Sequence, residues 1–384
     1  MTNIEIYSVK ELTPEQKKIV KETIPILKQA GEALTTQFYQ NMFNEYPQVK
    51  IFFDSTNQKN LRQPKILAFA LLKYAENIDD LSPLVDFVKQ IVSKHVGLQI
   101  KPQHYPYVGN ALIGTMGQLL GATATKEFID AWTQAYGNLA QLLINMENEA
   151  YKLQAWDGFK DFKVEKIVDE CNNVKSVYFK PVDGKISKGL PGQYITIRFN
   201  VGEEYPIARS YSISNVDDCY RISVKKIGKI SNFIHDNLKI GDEVTITPPS
   251  GNFVFENSDD IHHFVIGGIG ITPVLPMLKE LLPKGEKAVL HYSNKTGDRP
   301  FVDTLKTWKQ QYDNFTVVEY ITQSENVDDR IDQVNFRKID KSDLQKIKGQ
   351  VYLLGPVPFM MDIKSVLLEK GIEPKVEFFG PMVV

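Results

Sequence analysis

The chain has 384 residues, with a hydrophobic content of 42%, a charged content of 24% and a formal net charge of −2. This length predicts two or three domains, and the composition is typical of a globular protein. A net charge so close to zero gives no electrostatic basis for binding nucleic acid or an anionic membrane surface. The two cysteines have no metal-ligand spacing and form no disulfide framework, and no signal peptide or transmembrane segment is visible, so we expect a cytoplasmic protein.

Residues 13 to 150 show the apolar spacing of α-helices. A helix start is indicated by Thr13-Pro14-Glu15-Gln16, which combines a capping residue, a first-turn proline and an acid–amide pair. Further along, apolar residues recur every three or four positions and lead to His95. The segment therefore predicts an all-helical domain.

Four side chains of this helical domain could line a haem pocket. Tyr39 ends an apolar helical stripe, and Gln63 and Leu67 lie four residues apart on one helix face. A haem pocket needs an axial imidazole, a small apolar cavity and one or two hydrogen-bond donors, and His95 could be the imidazole. On spacing alone, however, His95 fits a core or surface histidine better than a ligand.

Near Gly158 the sequence pattern changes from helical spacing to short segments in which apolar and polar residues alternate. Residues 163–180 and 193–200 have this pattern, and Pro/Gly turns separate them, so we expect the close-spaced strands of a β-barrel. A turn, Pro191-Gly192-Gln193-Tyr194, precedes a strand predicted over residues 195–199. A barrel with ordinary turns is the alternative to a binding site here.

A later strand of the barrel carries Arg209-Ser210-Tyr211-Ser212. Alternation places Arg209 and Tyr211 on one face of that strand and the serines on the other. Arginine suits a diphosphate, and a tyrosine ring can lie flat on an isoalloxazine. About sixteen residues further on, Gly228-Lys229-Ile230-Ser231 precedes a short helix predicted over 232–237, whose first backbone amides suit phosphate. The combination predicts a flavin site.

From residue 261 onward, buried-strand runs alternate with helix-length segments, which predicts a parallel α/β sheet. One strand leads into Gly267-Gly268-Ile269-Gly270-Ile271-Thr272-Pro273, a glycine-rich turn suited to a pyrophosphate, with a helix expected from Val274. Another strand ends at Leu354-Gly355-Pro356. The C-terminal Glu377-Phe378-Phe379-Gly380-Pro381 fits either a cofactor contact or a buried edge strand.

Together these motifs resemble the bacterial flavohaemoglobins, in which a globin is fused to a module similar to ferredoxin-NADP reductase. The resemblance extends from about Thr13 to Pro381. It implies a multi-domain fold: an all-α globin (1–150), an antiparallel β-barrel that binds FAD (151–258) and a parallel α/β domain that binds NAD(P)H (259–384). The implied cofactors are haem b, FAD, and NADH or NADPH.

The resemblance implies roles for individual residues in the globin. His95 is the proximal iron ligand, and Tyr39 and Gln63 are the distal donors to dioxygen. Tyr105 and Glu147 form the hydrogen-bonding partners of His95. Phe53, Leu67 and Lys94 complete the haem pocket.

For the reductase, the resemblance implies two sets of cofactor contacts. The FAD contacts are Tyr194, Arg209, Ser210, Tyr211, Ser212, Gly228 and Ser231. The contacts near the nicotinamide nucleotide are Gly268, Gly270, Thr272, Pro273, Glu377 and Phe379. The sequence departs from the family at Ile227, where a glycine is common, and at Leu354, where a cysteine is usual.

Selectivity for NADH or NADPH depends on cations that could bind a 2′-phosphate. Ser293, Lys295 and Arg299 follow a predicted strand at a suitable place, but they could equally form a solvated loop. We favour NADH on this basis.

The implied activity is nitric oxide dioxygenase, in which NAD(P)H reduces FAD, FAD reduces the haem iron, and nitric oxide and dioxygen become nitrate. We expect a monomer whose partners are these small molecules. Two alternatives stay open: a reductase that passes electrons to other acceptors, and a sensor that binds oxygen or nitric oxide without turnover.

Overall fold

The computed structural model describes residues 4–53, 62–258, 260–324 and 326–377, and for 62 and 63 the backbone alone. The chain forms two compact units. The described part of the first comprises residues 4–53, 62–158 and 202–208, and that of the second comprises 159–201 and 209–377 without 259 and 325.

The first unit is helical. Its α-helices are α1 (Pro14–Glu22), α2 (Ile24–Glu45), α3 (Arg62–Glu76), α4 (Val85–Leu98), α5 (Tyr105–Leu120) and α6 (Lys126–Lys152). Helix α1 begins where the sequence predicts, because the Thr13 hydroxyl accepts from the Gln16 amide at 3.2 Å and the Gln16 side chain accepts from the Thr13 amide at 3.0 Å. This reciprocal cap satisfies two backbone donors of the first turn.

The core of the helical unit packs α2, α3 and α5 against the long helix α6. Trp132 is 1% exposed, and its indole nitrogen donates to the Thr23 hydroxyl at 3.0 Å. Helix α5 approaches α6 closely at Gly109, where an added Cβ would lie 2.6 Å from the Tyr136 ring. No helix among the described residues combines the length and the apolar character that crossing a membrane requires.

The second unit begins with a closed six-stranded barrel, of which only residues 207 and 208 are grouped with the first unit. Its strands are β1 (Lys160–Cys171), β2 (Val174–Pro181), β3 (Tyr194–Phe199), β4 (Ile207–Val216), β5 (Tyr220–Lys225) and β6 (Glu243–Ile246). They follow the order β1-β2-β5-β4-β3-β6, and strands such as β1 and β2 pair antiparallel. The short helix α7 (Lys229–Asp236) follows β5, so it begins three residues before the predicted position, Asn232.

A six-stranded sheet completes the second unit, with all its strand pairs parallel. Its strands are β7 (His262–Gly267), β8 (Ala288–Asn294), β9 (Phe315–Ile321), β10 (Gln333–Asn335), β11 (Gln350–Leu354) and β12 (Lys375–Val376). Its helices are α8 (Val274–Leu281), α9 (Val302–Gln311), α10 (Lys341–Gln345) and α11 (Val357–Glu369). Both faces of the sheet pack against helices, with Phe264 in the cluster on one side and Val265 in the cluster on the other.

The strand order β10-β9-β8-β7-β11-β12 reverses between β7 and β11. The chain leaves β7 toward β8 and β9 and later returns to add β11 on the opposite side. Ligands of open parallel sheets bind at such a reversal, beyond the carboxyl ends of the strands. The predicted fold classes, namely helical domain, antiparallel barrel and parallel α/β sheet, are confirmed, whereas the domain bounds at 150 and 258 stay predictions.

Candidate functional site

His95 lies in the last turn of α4, beside two buried polar side chains. Its Nδ1 lies 2.7 Å from the Oε1 atom of Glu147 on α6, and the Tyr105 hydroxyl on α5 donates to the same oxygen at 2.6 Å. The Tyr105 oxygen is also 3.2 Å from Nδ1. Three helices therefore converge on one carboxyl oxygen, as the family resemblance implies for these residues.

The burial of this triad is uneven. Glu147 is fully buried and Tyr105 is 6% exposed, whereas 31% of the His95 side chain remains exposed. Burial raises the pKa of Tyr105, and the neighbouring Glu147 charge raises it further, so the phenol stays protonated and donates. The carboxyl is thus a buried acceptor for two donors.

These contacts fit an axial haem ligand. An acceptor on Nδ1 holds the imidazole proton there and leaves the Nε2 lone pair for iron. Nε2 makes no hydrogen bond to the residues that the structure describes, and the ring keeps an exposed side. The residues present therefore fit a haem group.

Tyr39 belongs to a second aromatic group, on α2 and the segment that follows it. Its ring centroid lies 5.6 Å from that of Phe53 and 5.9 Å from that of Phe43. The side chain is 9% exposed, and burial raises the pKa of its hydroxyl, so the group is a hydrogen-bond donor. Leu67 packs against the same apolar cluster.

Two predicted haem-pocket residues are less fully defined. Helix α3 carries position 63, but the Gln63 side chain lies outside the described residues. Lys94 is half-buried on α4. Their roles stay predictions.

In the barrel, the predicted flavin residues Arg209 to Ser212 occupy consecutive positions of β4. The Tyr211 ring packs edge-on against Phe199, with a centroid distance of 6.5 Å and an interplanar angle of 83°. The Ser210 hydroxyl lies 2.9 Å from that of Thr196 on β3. The half-buried Tyr211 is thus oriented by the barrel itself, which fits a platform for a flat ring.

Ser231 acts locally as a cap for α7. Its hydroxyl accepts from the amides of Ile227 and Gly228, each at 2.8 Å. A serine at the third helical position that reaches back to the preceding amide fixes the helix start at Lys229. Tyr194 is 7% exposed, and an added Cβ on Gly251 would lie 2.9 Å from its ring. Direct FAD contacts by these residues stay predictions.

A cavity of about 480 Å³ lies at the carboxyl ends of β7, β8 and β11, where the strand order reverses. Gly267 and Gly268 line it, together with Ser293 and Lys295 at the end of β8. Gly268 has a φ of +56°, and an added Cβ there would meet no atom within 4 Å. A bare backbone at the edge of an open cavity fits a dinucleotide, whose pyrophosphate needs close approach to amides.

The remaining residues of the glycine-rich turn connect it to helix α8. Thr272 is 3% exposed, and its hydroxyl donates to the Ile269 carbonyl at 3.1 Å. Pro273 immediately precedes α8. Glu377 is described just beyond β12, whereas Phe379 lies outside the described residues, so the closing motif stays a prediction.

Gly270 is the residue of the turn that packs most closely against β11. Its replacement tests whether this close packing is needed for stability and nucleotide binding. A Cβ at Gly270 would lie 2.8 Å from the Leu354 carbonyl oxygen, so Gly270→Ala must displace the turn or the end of β11. We expect a loss of about 1–3 kcal/mol in the free energy of unfolding, together with weaker binding of NAD(P)H. Calorimetry and nucleotide titration measure both effects. Gly114→Ala on α5 is the control, because its added methyl meets nothing within 4 Å; equal behaviour of the two variants would refute the steric argument.

The structure corrects the prediction for Arg299. Its side chain is 1% exposed, and Nε lies 2.5 Å from Oε1 of Glu319, which is fully buried. The other guanidinium nitrogens donate to the carbonyls of Gly297 and Asp329, both at 2.6 Å. Arg299 is therefore neither a 2′-phosphate ligand nor part of a solvated loop, because an internal ion pair already satisfies it.

The sequence did not predict two lysines of the nucleotide cavity in the second unit, or a buried glutamine beside the His95 helix in the first. Lys225 and Lys338 line the nucleotide cavity with Lys295, although they come from β5 and from beyond β10. Gln99 adopts a left-handed conformation next to the haem-ligand helix. The local sequence predicts neither the position of the two lysines nor the conformation of Gln99, because both depend on contacts with distant parts of the chain.

Comparison with known proteins matches three family models in chain order. They are Globin over residues 36–143, Oxidoreductase FAD-binding domain over 161–255 and Oxidoreductase NAD-binding domain over 264–365. The "Flavohemoprotein" of Candida albicans is 51% identical over 98% of this chain and 98% of its own.

Two solved structures extend the comparison. A flavohemoglobin from Malassezia yamatoensis with bound FAD and heme is 25% identical, covers 97% of this chain and 100% of its own, and has a TM-score of 0.85. The FAD/NAD-binding domain of a nitric oxide dioxygenase from Vibrio cholerae is 27% identical, covers 58% of this chain and 99% of its own, and has a TM-score of 0.51.

Fold and site together define an NAD(P)H-dependent oxidoreductase whose cofactors are haem and FAD. The chain belongs to the flavohemoprotein family.

Proposed function

We propose that the chain is a nitric oxide dioxygenase that converts nitric oxide and dioxygen to nitrate with electrons from NAD(P)H, and that it removes nitric oxide from the cell. The buried Glu147 carboxyl, 2.7 Å from His95 Nδ1, carries the proposal. Such an acceptor makes the imidazole more electron-donating, which favours oxygen chemistry over oxygen storage. The named activity of the Vibrio cholerae relative agrees with it.

When bound, the nicotinamide supplies a hydride, FAD divides it into single electrons, and the haem iron supplies the site for dioxygen. The chain's own residues prepare these sites. Glu147 holds the proton on His95 Nδ1, and Tyr105 donates to Glu147. The Tyr39 hydroxyl offers a hydrogen-bond donor beside the rings of Phe43 and Phe53. Gly268 and its neighbours present backbone to the nucleotide.

Cytoplasmic location and the monomeric state belong to the same proposal. Cys171 and Cys219 are both free thiols, which is consistent with a reducing compartment. We also favour NADH over NADPH, and we propose nitric oxide and dioxygen as the partners of the haem site.

An absorption spectrum of the purified protein tests the electron route. Addition of NADH under argon is expected to bleach the flavin bands and then to shift the haem bands to the ferrous form. Flavin reduction without haem reduction would instead favour a reductase that serves other acceptors. Haem that stays oxygenated in air with little NADH consumption would favour a sensor.

Tyr39→Phe tests the distal donor. The variant keeps the ring contacts with Phe43 and Phe53 but loses the hydroxyl, so bound dioxygen is destabilised by about 1–3 kcal/mol. We expect the dioxygen dissociation rate to rise by about fivefold to a hundredfold. Stopped-flow displacement of dioxygen measures it. Tyr46→Phe, just beyond the end of α2, is the matched control and should leave the rate unchanged; unchanged dissociation in Tyr39→Phe would exclude its donor role.

A further inference from the structure

Gln99 is one of two non-glycine residues with a positive φ among the described residues. It follows α4, four residues after His95, with φ 60° and ψ 42°. Left-handed backbone costs any residue with a Cβ energy, and glutamine is an uncommon choice for the end of a helix. Yet Gln99 is only 4% exposed, so its side chain has a specific place in the fold.

The side-chain amide of Gln99 is bonded in several directions. Its Nε2 donates to the Val96 carbonyl and to the Gln154 side chain, both at 3.0 Å. Its Oε1 accepts from Lys101 at 3.2 Å and from the backbone amide of Gly158 at 3.1 Å. One amide thus joins the end of α4 to the middle and to the last residue of a short stretch that closes the helical unit.

We call residues 151–158 the exit segment; β1 begins at Lys160. Its other contacts also converge on the end of α4. The Tyr151 hydroxyl donates to the Ile100 carbonyl at 2.5 Å and lies 3.4 Å from the His95 carbonyl. Lys101 lies 4.0 Å from the centre of the Tyr151 ring and 2.5 Å from the Asp157 carboxyl. The exit segment is therefore fastened to the helix that carries the iron ligand.

We propose that Gln99 is a positioning residue: it anchors the exit segment to the C-terminal end of the His95 helix, and electron transfer into the haem depends on that anchor. The inference rests on the proposed electron route. Gln99 touches neither the iron ligand's imidazole nor the carboxyl of Glu147 in any contact that the structure describes. Its effect is consequently expected on the delivery of electrons and not on the affinity for dioxygen.

Gln99→Gly is the decisive variant, because glycine adopts the left-handed backbone without a Cβ clash and removes the side-chain amide. In the full-length holoprotein, hydrogen exchange at the Gly158 amide should accelerate by about thirtyfold, the change expected for two lost hydrogen bonds. Stopped-flow mixing with NADH should then show flavin reduction at the wild-type rate and haem reduction slowed several-fold. Dioxygen dissociation should not change.

Gln141→Ala is the matched control. Gln141 is also 4% exposed, and its amide fastens residues 4–7 to α6 through Ile6, Tyr7 and Ile4. It should lose stability without slowing haem reduction. If Gln99→Gly does not fold, Gln154→Ala removes one of the bonds from the other side and should shift exchange and haem reduction in the same direction.

The outcomes separate the two proposals. Wild-type protein in which NADH fails to reduce the haem would overturn the proposed function and this inference with it. If the haem of Gln99→Gly is reduced at the wild-type rate although the Gly158 amide exchanges faster, the inference alone would be overturned. Unchanged exchange at Gly158 would show that Gln99 does not anchor the exit segment.

Discussion

Glu147→Leu is expected to raise the midpoint potential of the haem iron and to lower the rate of nitric oxide removal by about tenfold to a hundredfold, the range seen when partners of metal ligands are lost. The substitution removes the acceptor that lies 2.7 Å from His95 Nδ1 and 2.6 Å from the Tyr105 hydroxyl. A less donating imidazole stabilises the ferric state less, so the potential moves upward. The buried Tyr105 hydroxyl and the partly exposed His95 ring also lose their acceptor, which costs about 1–3 kcal/mol in unfolding free energy.

Two further variants separate the electronic effect from packing. Glu147→Gln keeps an acceptor oxygen at nearly the same place and should recover part of the activity and potential. Tyr105→Phe removes one donor but leaves the His95–Glu147 contact, so its effect should be smaller than that of the leucine variant. Spectroelectrochemistry measures the potential directly. A leucine variant with the wild-type potential would contradict the role given to this carboxyl.

The second large effect is on stability, in the nucleotide-binding sheet. Glu319→Gln leaves the Arg299 guanidinium buried without its counter-charge, because the pair is 1% and 0% exposed and the two atoms lie 2.5 Å apart. Breaking such a buried pair costs about 3–5 kcal/mol. Glu319 also accepts from the Ile331 amide at 2.9 Å through its other oxygen, so the loop beyond β9 loosens with it. Chemical denaturation followed by flavin release measures the loss.

An exposed ion pair supplies the comparison for Glu319. Lys341 and Glu369 lie 2.6 Å apart, but their side chains are 62% and 57% exposed. Glu369→Gln should therefore change the unfolding free energy by less than about 1 kcal/mol. Replacing both Arg299 and Glu319 by methionine should recover much of the loss, because no charge is then left unpaired. A Glu319→Gln protein as stable as Glu369→Gln would contradict the account of Arg299.

The elements that local chemistry determines were predicted well from the sequence. The Thr13 cap, the parallel strands around Gly267 and the turn before Val274 all follow from residues close together in the chain. Helix α7 begins at Lys229, three residues before the predicted start, and the Ser231 hydroxyl accepts from the amides of Ile227 and Gly228 ahead of it. The usual capping box has serine or threonine at the cap and glutamate or glutamine at the third position, so Gly228 and Ser231 give no such signal in the sequence.

Contacts between distant residues could not be predicted in this way. His95, Tyr105 and Glu147 lie on three helices, and it was the resemblance to a known family that placed them together, not their spacing. The partner of Arg299 lies on the next strand, twenty residues further along, so the sequence shows a cation but not that it is neutralised. The left-handed backbone at position 99 could not be predicted, because the residue there is glutamine and not glycine. Long-range hydrogen bonds of the Gln99 side chain offset the backbone strain.

The stoichiometry of nitric oxide removal tests the central claim most directly. Conversion of one nitric oxide and one dioxygen to nitrate takes up one electron, and a hydride supplies two. Purified holoprotein given NADH, air and nitric oxide should therefore form two nitrate ions for each NADH oxidised in response to nitric oxide. An NADH oxidation rate that nitric oxide does not increase would contradict the claim. Loss of nitric oxide without formation of nitrate would also contradict it.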